Sequence, residues 1–135
     1  MGLTLDSSAL ISLERAGKHP SIILTNFREE LVLPAIVWAE LLIGLEQAPN
    51  ALKAGKAAWL QAAMRCFDFV PFDAFAASAY AQLFVELERA GIRIPANDLQ
   101  AAATARTRDF GMLVGPKGEA HYTRIPGLRI ERLTL

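Results

Sequence analysis

The sequence predicts an α/β fold, a three-layer α/β/α sandwich on a mainly parallel sheet, and three observations carry that expectation. Short apolar runs that read as strands alternate with stretches of helical spacing, the order that gives parallel pairing with helices on both faces. The chain of 135 residues is 53% hydrophobic and 21% charged, enough apolar surface to bury a sizeable core as one domain over residues 1–135. Asp6 stands where the first apolar run gives way to two serines, at a strand's carboxyl end, and ligands of open α/β sheets bind in the crevice outside that end.

Leu3 and Leu5 read as a buried strand, and Ser7 or Ser8 as the N-cap of a helix that runs to a stop at Ala16 and Gly17. A second helix over residues 21–27 leads into the apolar run Leu31-Val32-Leu33. Pro34 suits a helix start, where its missing donor costs nothing. The helix that follows, from Ala35 to Leu45, is apolar nearly all round with Glu40 as its only charge, a pattern expected to be buried on most faces. Residues 48–50 break the pattern before another helix over 51–65, and residues 67–72 read as a strand. Asp73 is placed to cap a helix that carries Tyr80, Leu83, Phe84 and Leu87 inward and stops at Gly91. Asn97 with Gln100 three residues on reads as a capping box, which puts Asp98 at the first helical position. Ala101, Ala102, Ala103 and Ala105 make this helix thin enough for close packing. Residues 110–114 and 128–133 are the last two strands.

Fourteen basic residues balance fourteen acidic ones, so no global field holds a polyanion and any nucleic-acid contact must be local. Lys53, Lys56, Arg65, Arg89 and Arg93 could edge a groove for RNA, although a solvated helix face is the simpler reading of any one of them. The single cysteine, Cys66, cannot form an internal disulfide and suggests a reducing compartment and core packing. No apolar run is long enough to span a bilayer and no signal-like segment opens the sequence, so no membrane role and a cytoplasmic location are expected.

Three carboxylates occupy places that packing alone does not require. Asp6 follows the first strand, Glu40 interrupts an apolar helix, and Asp98 opens an alanine-rich one. An acid in a first helical turn is favoured by about 0.3–1 kcal/mol, so Asp98 has a simple structural reading. That of Glu40 is weak, because a lone carboxylate on an apolar helix is costly unless paired, hydrogen-bonded or metal-bound. His19 and His121 are solitary, which leaves all-oxygen ligation. That donor set selects Mg²⁺ or Mn²⁺, and acids gathered on such ions serve phosphoryl chemistry. Chain order does not by itself make the three converge.

With these residues in view the chain resembles the PIN-domain ribonucleases, in particular the VapC-type toxins of toxin–antitoxin pairs. The matching pieces are residues 5–11, 39–44, 71–73, 91–102 and 124–128, including Leu5-Asp6-Ser7-Ser8, Ala39-Glu40-Leu41-Leu42, Ala96-Asn97-Asp98-Leu99 and Ile125-Pro126-Gly127-Leu128. The resemblance implies a ribonuclease in which Asp6, Glu40 and Asp98 hold Mg²⁺ or Mn²⁺ and a metal-activated water attacks phosphorus in line, leaving 5'-phosphate and 3'-hydroxyl ends. Ser8 matches a small polar position that orders Asp6 or the scissile phosphate. It implies also a homodimer, and a cognate antitoxin whose basic C-terminal segment occupies the active-site groove.

One segment departs from the family pattern. A fourth acid or an Asn commonly follows the fourth strand in a Thr-x-Asp-like segment. Here that place reads Gly115-Pro116-Lys117-Gly118-Glu119, with Glu119 as the only acid and a conditional fourth ligand. This leaves open a catalytically weak or silent PIN-like module that binds RNA or a protein partner. A receiver-type phosphoacceptor domain fits less well, since Asp6 is followed by Ser7 rather than a second acid.

Overall fold

The computed structural model describes residues 1–117 and 120–135. Strand β1, Gly2–Leu5, is followed by helices α1 (Ser7–Arg15) and α2 (Ile22–Asn26), strand β2 (Glu30–Pro34), and helices α3 (Ala35–Glu46) and α4 (Asn50–Cys66). Then come β3 (Asp68–Val70), α5 (Ala74–Arg89), α6 (Ala96–Thr107), β4 (Gly111–Val114), a 3-10 turn at Tyr122–Arg124 and β5 (Ile130–Arg132). The five strands form one parallel sheet in the order β3-β2-β1-β4-β5.

Every residue of β1 and β4 is buried. Successive side chains of a strand point to opposite faces, so helices must cover both, as parallel sheets require. The expected sandwich is therefore what these residues form. From β1 the chain moves outward through β2 and β3 and then returns to place β4 on the other side. The carboxyl ends of β1 and β4 therefore flank the point where strand order reverses. The N–H of Asp6 donates to the carbonyl of Leu113 at 2.9 Å, carrying the ladder one step past β1 to that point.

Several local readings are corrected. The N-cap of α1 is Asp6 itself, whose carboxylate accepts the N–H of Ser8, so neither Ser7 nor Ser8 caps the helix. The cap of α6 is Pro95, its φ fixed by the ring; Asn97 lies inside the helix, no capping box forms, and Asp98 is the third helical residue. Helix α3 buries only Val37 and Leu41, one turn apart on a single face, and leaves Leu42 39% and Ile43 53% exposed. It is not buried on most faces. Phe84 is likewise 48% exposed, whereas Leu83 and Leu87 point inward as expected. The strands expected at 67–72 and 128–133 shorten to the three residues each that find ladder partners.

Other features match their reading. The side chain of Asp73 accepts from the N–H of Ala76 at 2.9 Å, and Gly91 ends α5 at φ +74°, a conformation that L side chains resist. Ala101, Ala102, Ala103 and Ala105 are all buried, letting α6 lie close to α5 and the sheet. Cys66 is partly buried against the core, and burial pushes its thiol pKa up. Among the described residues no helix is long and apolar enough to cross a membrane.

Candidate active site

Asp6 is only 5% exposed, and a buried carboxylate is tolerated where its oxygens are hydrogen-bonded. Its Oδ2 accepts the N–H of Ser8 at 3.2 Å and the Ser8 hydroxyl at 2.5 Å. Its Oδ1 accepts the phenol of Tyr122 at 2.6 Å. Ser8 is in turn fixed from across the sheet, because the N–H of Gly115, just after β4, donates to Ser8 Oγ at 3.0 Å. This explains the glycine: a Cβ at position 115 would lie 2.5 Å from the Ser8 carbonyl oxygen and 2.6 Å from Ser12 Oγ.

Glu40 and Asp98 complete the cluster electrostatically. The Glu40 pKa is pushed up to about 7 by burial first, then by the negative charges of Asp6 and Asp98, with a hydrogen bond from Asn97 opposing the rise. The Asp98 pKa is raised by burial and by Asp6, against the pull of His121 and Tyr122. The His121 ring is 3.8 Å from Asp98, Nε2 to Oδ2, so this histidine is not solitary as the sequence suggested. Tyr122 is held far above the ordinary phenol range by burial and then by Asp6, Asp98 and Glu40, and so remains a proton donor. The structure thus brings Asp6, Glu40, Asp98 and Ser8 to one neighbourhood, while Glu119 lies outside the described residues.

Among the described residues no three His, Cys, Asp or Glu side chains form a ready-made cage for one ion. The donor set nevertheless suits a hard cation. Mg²⁺ keeps several of its waters and is commonly held through one or two carboxylates, and carboxylates that raise one another's pKa gain from a positive charge between them. A groove runs on from Glu40 past Leu41 and Gly44 to Arg15, Lys56 and Trp59. Of the basic residues singled out from the sequence, only Lys56 reaches this groove, where its ammonium donates to Glu14 at 2.5 Å. Arg93 lines a separate cleft with Phe84 and Leu99.

Sequence reasoning missed Tyr122, His121 and Asn97. Tyr122 and His121 sit just before the Arg124-Ile125-Pro126-Gly127-Leu128 segment, and their proximity to the acids depends on the return from β4 to β5. Asn97 adjoins Asp98, and its pattern with Gln100 reads as a cap although it lies inside α6.

The fold is an α/β sandwich on a parallel sheet, with an acid at the end of its central strand and two more whose charges act on it. The chain belongs to the PIN-domain family, whose model, described as PIN domain, matches residues 3–113. It is 33% identical over 131 residues to the Ribonuclease VapC of Rickettsia bellii (strain RML369-C), covering 96% of this chain and 95% of that one. In fold it is similar to VapBC2 from Rickettsia felis bound to a DNA fragment from their promoter, with a TM-score of 0.85 at 22% identity over 99% of this chain and 100% of the other. VapBC-5 from Mycobacterium tuberculosis, a member of the VapBC family of toxin-antitoxin systems, superposes with a TM-score of 0.72 at 24% identity over 99% and 98% of the two chains. At such identities the two structures speak for the fold.

Proposed function

We propose that this chain is a metal-dependent ribonuclease, the toxin of a type II toxin–antitoxin pair, with Asp6, Glu40 and Asp98 as its catalytic acids. The observation that carries the reading is the buried Asp6 carboxylate, held by Ser8 and Tyr122 at the carboxyl end of β1, with Glu40 and Asp98 near enough for their charges to act on one another. The likeness to a ribonuclease over nearly the whole chain supports RNA as the substrate.

Asp6, Glu40 and Asp98 would hold Mg²⁺ or Mn²⁺, with Glu119 as a conditional further ligand. When bound, such an ion supplies an activated water at neutral pH and offsets the charge that develops on the phosphate. Ser8 and Tyr122 hold the Asp6 carboxylate in place. Glu40, whose pKa burial and the neighbouring acids push up to about 7, would hold such an ion in its ionised form. Arg15 in the adjoining groove offers positive charge to the RNA backbone, which sets affinity without choosing sequence, whereas Lys56 there is already paired with Glu14.

An acidic cluster is also a seat for arginine, which pairs bidentately with carboxylates. We infer a cognate antitoxin whose basic C-terminal segment enters this groove, acting on a homodimer of the chain.

The test is cleavage of labelled RNA with Mg²⁺ or Mn²⁺ by the purified chain. Chelator should abolish cleavage, and Asp6→Asn should slow it by at least about a hundredfold, since a neutral amide is a poor ligand for a hard cation. Undiminished cleavage by Asp6→Asn would overturn the assignment. For the toxin role, expression should arrest growth, and co-expression of the neighbouring reading frame should relieve it.

A further inference from the structure

We propose that Tyr122 is a positioning residue of the cation site, its hydroxyl at 2.6 Å from Asp6 Oδ1 fixing the plane in which that carboxylate meets a divalent ion. The inference rests on the reading of the acid cluster as a cation site. An ionised carboxylate has about four lone-pair directions. Ser8 engages Oδ2 through both its N–H and its hydroxyl, and Tyr122 engages Oδ1. One direction on Oδ1 is thus left for a ligand.

With Ser8 alone, the carboxylate would be held through one oxygen only, and its broad terminal torsion would be restrained less tightly. Tyr122 pins the other oxygen. The loop after β4 cannot do so at Gly115, which has no side chain and no room for one. The phenol is instead delivered by the 3-10 turn at Tyr122–Arg124, whose preceding residue, His121, stands beside Asp98. One turn therefore addresses two of the three acids. Tyr122 is 1% exposed, so water does not compete for its hydroxyl.

Hydrogen-bond partners of metal ligands are worth roughly ten- to a hundredfold in metal affinity. Mn²⁺ binding by calorimetry, measured on the full chain, should weaken by about that factor in Tyr122→Phe. Thr104→Val, which removes another buried hydroxyl remote in role from the cluster, should bind as wild type does. Because Tyr122 and Ser8 act on one carboxylate, the effects of Tyr122→Phe and Ser8→Ala should be non-additive in the double variant. Wild-type affinity in Tyr122→Phe, a loss matched by Thr104→Val, or strict additivity would each overturn the role of Tyr122. A wild-type chain that takes no Mn²⁺ would sink the cation-site reading itself, which is a different result.

Should Tyr122→Phe fail to fold, fluorine NMR of the wild-type chain labelled with 3-fluorotyrosine decides the matter. The chain has two tyrosines, and a Tyr80→Phe variant assigns them. Mg²⁺ should shift the Tyr122 resonance and leave that of Tyr80 in place. A Tyr122 resonance indifferent to Mg²⁺ overturns the proposal.

Discussion

Gly115 and Ser8, 107 residues apart in sequence, are joined by a hydrogen bond of 3.0 Å from the N–H of Gly115 to Ser8 Oγ. That bond ties the end of β4 to the start of α1 and so to Asp6. Gly115→Ala would press a methyl group against the Ser8 carbonyl and Ser12 Oγ. Overpacking of this kind costs about 1–3 kcal/mol. The variant should unfold at lower urea and cleave RNA more slowly; unchanged values of both would show that the strand end yields freely.

Glu40 makes stability depend on pH. Its folded pKa of about 7 lies above the ordinary 4.5, so the wild-type chain has its full stability below the unfolded value and loses part of it as pH rises through about 7. Allowing for partial exposure, the loss is about 1–3 kcal/mol. Without metal, Glu40→Gln should therefore be more stable than wild type at pH 8 by about that amount and nearly equal to it at pH 4. Mg²⁺ should raise the melting temperature of the wild-type chain more at pH 8 than at pH 5.5. Equal differences at both pH values would count against the burial of this acid.

Thr4, in the middle of β1, buries a hydroxyl that has no hydrogen-bond partner among the described residues. Thr4→Val removes an unsatisfied polar group at nearly constant volume, and the variant should be as stable as wild type or more so by about 1 kcal/mol. A marked loss in urea denaturation would reveal a partner for that oxygen.

Asp73 lies in a segment that matches the family, and its carboxylate caps α5 by accepting the N–H of Ala76. Asp73→Ala should cost about 1 kcal/mol and leave cleavage per folded molecule unchanged. A fall in rate without a fall in stability would give Asp73 a role at the site.

The parallel sheet and the placing of Asp6 were legible because both rest on local pattern, apolar runs alternating with helical spacing and an acid at a strand's end. The cap of α1 was misread because Asp6 reaches the Ser8 N–H before either serine is needed. Burial of α3 was overestimated because composition does not say which face of a helix is covered, and Leu42 and Ile43 meet solvent. Tyr122 was out of reach for another reason: nothing near it in sequence asks for a carboxylate, and its partner is 116 residues away.

That separation sets a timetable for synthesis. Asp6 leaves the ribosome early, but its central strand lacks one neighbour until β4 is made, and Oδ1 lacks its phenol until residue 122 has emerged. Contacts so distant form late in folding. The carboxylate at the end of β1 therefore stays in unfinished surroundings, with one strand neighbour and one hydrogen-bond donor missing, until most of the chain has been made.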